Sequence, residues 1–160
     1  MRRKSKTVFK SHNASVLMYH LVFPAKYRRA VFTEKVDEVL KWTCLEMELR
    51  YEIYFLEIGT DRDHAHFLVQ SVPMNSPTEI VTKIKSITAK KIFEKVPEIK
   101  EFLWGGEFWS SGYYVNTVSR YGSEKAVAEY VKNQGFQDYN ALHKRDPILE
   151  AKDMGQTSFI

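Results

Sequence analysis

Residues 52–70 run Glu52-Ile53-Tyr54-Phe55-Leu56-Glu57-Ile58, then Gly59-Thr60-Asp61-Arg62-Asp63, then His64-Ala65-His66-Phe67-Leu68-Val69-Gln70. Both flanks are rich in β-branched and aromatic residues, which fit a pleated surface, and the glycine and aspartates between them are turn formers. The stretch predicts two strands joined as a hairpin. Upstream, Val16–Phe23 is a continuous apolar run ending at Pro24, the pattern of a buried central strand. Between that run and the hairpin, Thr33 is a helix N-cap, with Glu34 and Asp37 near the positive end of the dipole. Val36, Val39, Leu40, Thr43 and Met47 follow at helical spacing, giving a helix to about Leu49. Downstream, Ser76-Pro77-Thr78-Glu79 combines a capping box with proline at the first helical position. Ile80, Ile84 and Ile87 form the buried stripe of that helix, Lys83, Ser86 and Lys90 its polar face, and Pro97 ends it. Tyr113–Val118 reads as a fourth strand, and Gly122-Ser123 opens a last helix that Gly135 terminates. The order βαββαβα holds two split β-α-β units. It predicts an α+β, ferredoxin-like (RRM-like) fold: a four-stranded antiparallel sheet with helices on one face, plus a C-terminal helix.

At 160 residues the chain makes one domain. Residues 11–135 carry the periodic pattern, residues 1–10 form a basic arm, and residues 136–160 are a polar tail without assigned role. The single cysteine, Cys44, excludes an intrachain disulfide and a Cys-only zinc site, and it fits a reducing compartment. No run approaches the ~18 apolar residues of a membrane span, and no apolar segment follows the basic N-terminus as in a secretory signal. A cytoplasmic protein without membrane contact is expected.

The formal charge of +4 is unevenly placed. Arg2, Arg3, Lys4, Lys6 and Lys10 stand in the arm with no acid, leaving 19 basic against 20 acidic side chains elsewhere. Such an arm neutralises phosphates or is a solvated tail. Two further basic clusters are Lys26-Tyr27-Arg28-Arg29, which interleaves an aromatic ring with cations as single-strand binders do, and Lys83, Lys85, Lys90, Lys91 and Lys95. Each suits DNA or a solvated face equally.

His64 and His66 alternate with Ala65, so on a strand both imidazoles leave the same face, roughly 6.5–7 Å apart at the backbone. On the sheet face free of helices they are placed to chelate one metal ion, although five histidines also produce such pairs by chance. On the last helix Tyr130 and Gln134 are four apart and share a face. Tyr130 either continues an apolar stripe with Val127 and Val131 or stands beside Gln134 as a nucleophile.

Several separated segments in order decide between these readings. They are Tyr19–Phe23 leading to Lys26–Phe32, Asp63–Val69, Leu103-Trp104-Gly105-Gly106 with Phe108-Trp109-Ser110, Tyr113-Tyr114-Val115, and Tyr130-Val131-Lys132-Asn133-Gln134. Over residues 11–134 the chain resembles the single-tyrosine HUH transposases of the insertion-sequence two-hundred/six-hundred-and-five group. Arg62 stands where such proteins often have proline, and Pro24-Ala25 replaces a stretch that usually carries threonine. The resemblance implies a homodimer that cuts single-stranded DNA with hairpin ends through a 5′-phosphotyrosine bond. Tyr130 would be the nucleophile, His64, His66 and Gln134 the ligands of Mg²⁺ or Mn²⁺, and Gly122 a hinge letting the tyrosine helix dock on either subunit. The arm (Arg2, Arg3, Lys4), Lys26–Arg29, Lys83 and Lys90 are candidate DNA contacts. Alternatives are a domesticated nuclease acting on host repeats, a hydrolase using the same histidines with water, and a non-catalytic nucleic-acid-binding module of RRM architecture. The last lacks the aromatic base-stacking consensus.

Overall fold

The computed structural model describes residues 3–118, except the side chain of Trp104. Arg2 and the expected last helix, with Gly122, Tyr130 and Gln134, lie outside the described residues. In chain order the strands are β1 (Val8–Phe9), β2 (Ala14–Ser15), β3 (Leu17–Pro24), β4 (Tyr54–Thr60), β5 (His64–Ser71) and β6 (Tyr114–Val118). Helix α1 (Glu34–Tyr51) follows β3, and α2 (Pro77–Lys95) follows β5. The main sheet has the order β4-β5-β3-β6 and is antiparallel throughout. This is the mixed α+β arrangement the element order implied, with the continuous apolar run of β3 at the centre.

The local signals act as their chemistry requires. Thr33 Oγ1 accepts from Val36 N at 3.3 Å. The capping box closes both ways, Glu79 N donating to Ser76 Oγ at 3.1 Å and Ser76 N to Glu79 Oε1 at 3.2 Å. One boundary differs from expectation. Glu52 does not open a strand; it ends α1 in the left-handed region at φ 51, and β4 starts two residues later.

One face of the sheet is sealed by the helices. Leu21, Phe23, Phe55, Ala65, Phe67 and Val69 meet Val36, Leu40, Cys44 and Met47 of α1 and Ile80, Ile84 and Ile92 of α2, all buried. Trp109 packs edge-on to Phe23 at 5.5 Å, and its indole N–H donates to Thr88 Oγ1 of α2 at 3.0 Å. Side chains of this size each contribute roughly 1.5–3 kcal/mol on burial. The opposite face holds a smaller cluster of Met18, Leu56 and Leu68. The β4–β5 register slips between Phe55 and Glu57, an irregularity of the kind that twists an edge strand.

From Arg3 onward the arm is not the free, solvated tail that was one of the two expectations for it. It runs over the helix-free face as a fastened segment, with Arg3 N donating to Leu56 O at 3.1 Å. Lys6 N donates to Gln70 Oε1 at 3.1 Å, and the Gln70 amide returns a bond to Lys6 O. The Arg3 guanidinium bonds the Glu48 carboxylate at 2.6 Å, and Glu48 also accepts from Phe55 N. Lys10 pairs with Glu52. Two-residue strands such as β1 and β2, antiparallel to each other, leave no period to detect in sequence.

Candidate active site

Alternation along β5 sends Ala65, Phe67 and Val69 into the core and His64, His66, Leu68 and Gln70 to the other face. The two imidazole rings lie 6.1 Å apart between centroids, tilted by 43°. They do not stand off the sheet as bare groups: His64 is 1% and His66 6% exposed. His66 lies down across its cross-strand partner, Gly59 of β4, where no side chain opposes it. His64 Nδ1 is 3.0 Å from Asp63 Oδ1. An N–H donated there makes Nε2 the unprotonated ring nitrogen, the tautomer a histidine that ligates a metal through Nε2 needs.

His66 is held neutral. Burial, then the neighbouring His64 and His20, lower its pKa to about 3, with Lys41 acting in the same sense and Asp61 opposing. Its Nδ1 is buried and has no hydrogen-bond partner among the described residues. His20 belongs to the same face, opposite Leu68 in the β3–β5 register and edge-on to Tyr114 at 6.0 Å. Burial lowers its pKa to about 4. His20 and His66 are thus held neutral, and the His64 ring is buried beside them.

The spacing of the His64 and His66 rings is compatible with a shared divalent ion. A nitrogen bound at about 2.1 Å sets its ring centroid about 3.3 Å from the ion, so paired ligands span up to about 6.6 Å. The 6.1 Å separation lies inside that limit. Among the described residues there is no group of three or more His, Cys, Asp or Glu able to hold a metal, so the histidine pair requires a further ligand of another type. Gln134, which the resemblance supplies, lies outside the described residues.

The candidate DNA contacts separate into three places. The Lys26–Arg29 segment abuts the histidine end of β5: Pro24 pairs with His64, and Ala25 N donates to Asp63 O at 2.8 Å. Tyr27 and Arg28 both adopt left-handed backbone, at φ 57 and 54, conformations that cost about 1–3 kcal/mol each away from glycine and gather at ligand sites. Tyr27 is 54% exposed with Lys26 Nζ 5.3 Å from its ring centre, and Lys26 also pairs with Glu107. Arg28 shares a shallow cavity with Asp61, Arg62 and Asp63. Lys83 and Lys90 lie on α2, in the layer on the other side of the sheet from the imidazoles, with Lys83 Nζ 5.2 Å from the Tyr51 ring centre. Arg3 is taken up by Glu48, while Lys4 is exposed.

Three residues take on their part in the site only in the fold. Asp63 is adjacent to His64 in the chain, and that adjacency is the one sequence sign of its contact with the ring. His20 sits in an apolar run and reads as core. Gly59 reads as a turn residue, yet it is inside β4.

A ferredoxin-like sheet bearing paired, metal-competent imidazoles beside a cationic turn is a framework for processing a phosphodiester backbone. Residues 13–134, which contain all of it, match the family described as "Transposase IS200 like", and the chain belongs to that family of DNA-cutting and strand-transferring enzymes. It is 29% identical over 118 residues to the ISDra2 transposase TnpA of Deinococcus radiodurans, covering 74% of this chain and 84% of that one. It is 32% identical over 124 residues to the transposase for insertion sequence element IS200 of Salmonella typhimurium, covering 75% and 78%. The crystal structure of a candidate transposase from Deinococcus radiodurans superposes with a TM-score of 0.65 at 26% identity, over 80% of this chain and 98% of that chain. Among the described residues no helix is long and apolar enough to cross a membrane.

Proposed function

We propose that this transposase cuts and rejoins single-stranded DNA at hairpin-bearing element ends, with Tyr130 as nucleophile and His64, His66 and Gln134 as ligands of Mg²⁺ or Mn²⁺. The observation that carries the reading is the pair of buried imidazoles 6.1 Å apart, one beside the Asp63 carboxylate. An ion bound there would polarise the scissile phosphate and offset charge developing on its oxygens. Tyrosine is a weak nucleophile at its ordinary pKa near 10, so its attack depends on such help. The Tyr130 oxygen forms a bond to phosphorus, the bond to the 3′ oxygen breaks, and that oxygen leaves as a 3′-hydroxyl after taking a proton. A 3′-hydroxyl attacking the phosphotyrosine reverses the sequence and releases Tyr130, so the phosphodiester energy is conserved and no nucleotide cofactor is consumed. The cationic turn at Lys26–Arg29 supports the placement of DNA, since it reaches the histidine end of the sheet through Ala25 N and Asp63 O. The protein acts as a homodimer in this reading, with Gly122 as the hinge that lets the tyrosine helix of one subunit serve the histidines of the other.

The test is incubation with single-stranded DNA from the flanks of the gene plus Mg²⁺, resolved on a denaturing gel. A protein–DNA adduct resistant to SDS, absent with Tyr130→Phe, is the expected result. Cleavage without any adduct would assign the site to water-mediated hydrolysis. Binding without cleavage would leave a nucleic-acid-binding module.

A further inference from the structure

We propose that Gly59 is a positioning residue for the His66 imidazole, kept free of a side chain so that the ring can lie flat on β4 beside His64. This rests on the reading of His66 as a metal ligand. Gly59 and His66 are cross-strand partners, on the sheet's outermost strand and its neighbour. A Cβ built on Gly59 would fall 2.1 Å from His66 Cε1, 2.7 Å from Nε2 and 2.9 Å from Nδ1. Non-bonded carbons attract best at about 3.5–4.0 Å, so no other residue type fits while the ring stays where it is. The three near atoms form the N–C–N edge, which carries both atoms able to ligate. A methyl group would therefore push the ring and crowd its lone pairs together.

Backbone freedom does not account for the glycine. Among the described residues those with positive φ are Tyr27, Arg28, Glu52, Gly105 and Gly106, and Gly59 is not one of them. It has ordinary strand conformation, where glycine weakens the strand and marks a close approach. What approaches is the imidazole. Without the gap, His66 would have to rise off the sheet and move relative to His64.

The whole protein tests this with Mn²⁺ as the probe, read by the free-ion EPR signal, on His66→Ala, Gly59→Ala and the double variant, alongside thermal unfolding without metal. His66→Ala and Gly59→Ala should each weaken Mn²⁺ binding at least tenfold, and the double variant should bind no more weakly than His66→Ala alone. In the metal-free wild type, a nuclear Overhauser contact between Gly59 Hα and His66 Hε1 should be present, and alanine at 59 should abolish it. Wild-type Mn²⁺ affinity in His66→Ala would sink the ligand reading itself. Weakened binding in His66→Ala with none in Gly59→Ala would overturn the role of Gly59 alone. If Gly59→Ala does not fold but the double variant does, methyl and ring compete for one space, as proposed. Failure of both to fold would assign Gly59 a role unrelated to His66.

Discussion

Asp63 Oδ1 stands 3.0 Å from Nδ1 of His64, its neighbour in the chain. The turn between β4 and β5 thereby delivers an orienting carboxylate at the position just before the ring it orients. Removal of such a partner usually costs 10–100-fold in metal affinity. Asp63→Ala is expected to lose about that much Mn²⁺ affinity by calorimetry, with unchanged thermal stability within about 1 kcal/mol because Asp63 is outside the core. Wild-type affinity in Asp63→Ala would show that the contact is incidental.

The two basic clusters should behave differently on single-stranded DNA. Each phosphate contact on a single strand contributes about 0.7 to the slope of log affinity against log salt. Alanine at Lys26, Arg28 and Arg29 together should flatten that slope by roughly 1–2. Alanine at Lys83 and Lys90, in the helix layer, should leave it unchanged. Equal effects would mean that DNA wraps both faces.

The arm's role in stability is separable from any role in binding. Arg3→Ala leaves the Glu48 carboxylate, 12% exposed, without its cation. A hydrogen bond to a charged group is worth about 1.5–3 kcal/mol, and part of this is retained through Phe55 N. A loss of about 1 kcal/mol in urea unfolding is expected. No loss would mean that the arm is only loosely docked.

Acid should destabilise the fold through its buried imidazoles. His20 has a folded pKa of about 4 against 6.5 for the free side chain. Between those values the unfolded chain binds a proton that the folded chain refuses, so this stability is complete above pH 6.5 and is lost as pH falls toward 4. At about 1.4 kcal/mol per unit, the loss from His20 is on the order of 3 kcal/mol. His66, displaced in the same direction, adds to it down to about pH 3. Stepped-pH urea titrations of His20→Gln should show a shallower decline over this range.

Cross-subunit assembly makes a sharper forecast. Tyr130→Phe and a His64→Ala, His66→Ala variant should each be inactive alone. A heterodimer of the two contains one whole composite site if helices dock across subunits, and none if they dock within their own. Recovery of cleavage in the mixture is expected. An inactive heterodimer, with both variants shown to dimerise and to bind DNA, would place the tyrosine and the histidines of one site in the same chain.

What could be read from the chain was whatever depends on near neighbours. The Ser76–Glu79 box, the Thr33 cap and the period-two pattern at His64–Gln70 involve residues within three or four positions, and each appears where it was expected. Contacts closed over distance were not legible. Arg3 meets Glu48 and Lys6 meets Gln70 across 45 and 64 residues, and an arm of cations offers no hint that a carboxylate and an amide will hold it. The same holds for Gly59, whose meaning comes from a ring on the next strand. Alternation gave the histidines' shared face correctly but not their posture on it, because that depends on what the neighbouring strand leaves vacant.

Cys44 lies wholly within the layer between α1 and the sheet, and burial together with Glu48 raises its thiol pKa well above the usual value. In the native protein this thiol is neither accessible nor ionised, so alkylating reagents and oxidants cannot use it as a point of attack. Its modification must wait for the surrounding structure to open. As the sole cysteine of the chain, it is an internal timer: the rate at which a thiol reagent consumes it reads out how often the helix layer parts from the sheet, without any label being added.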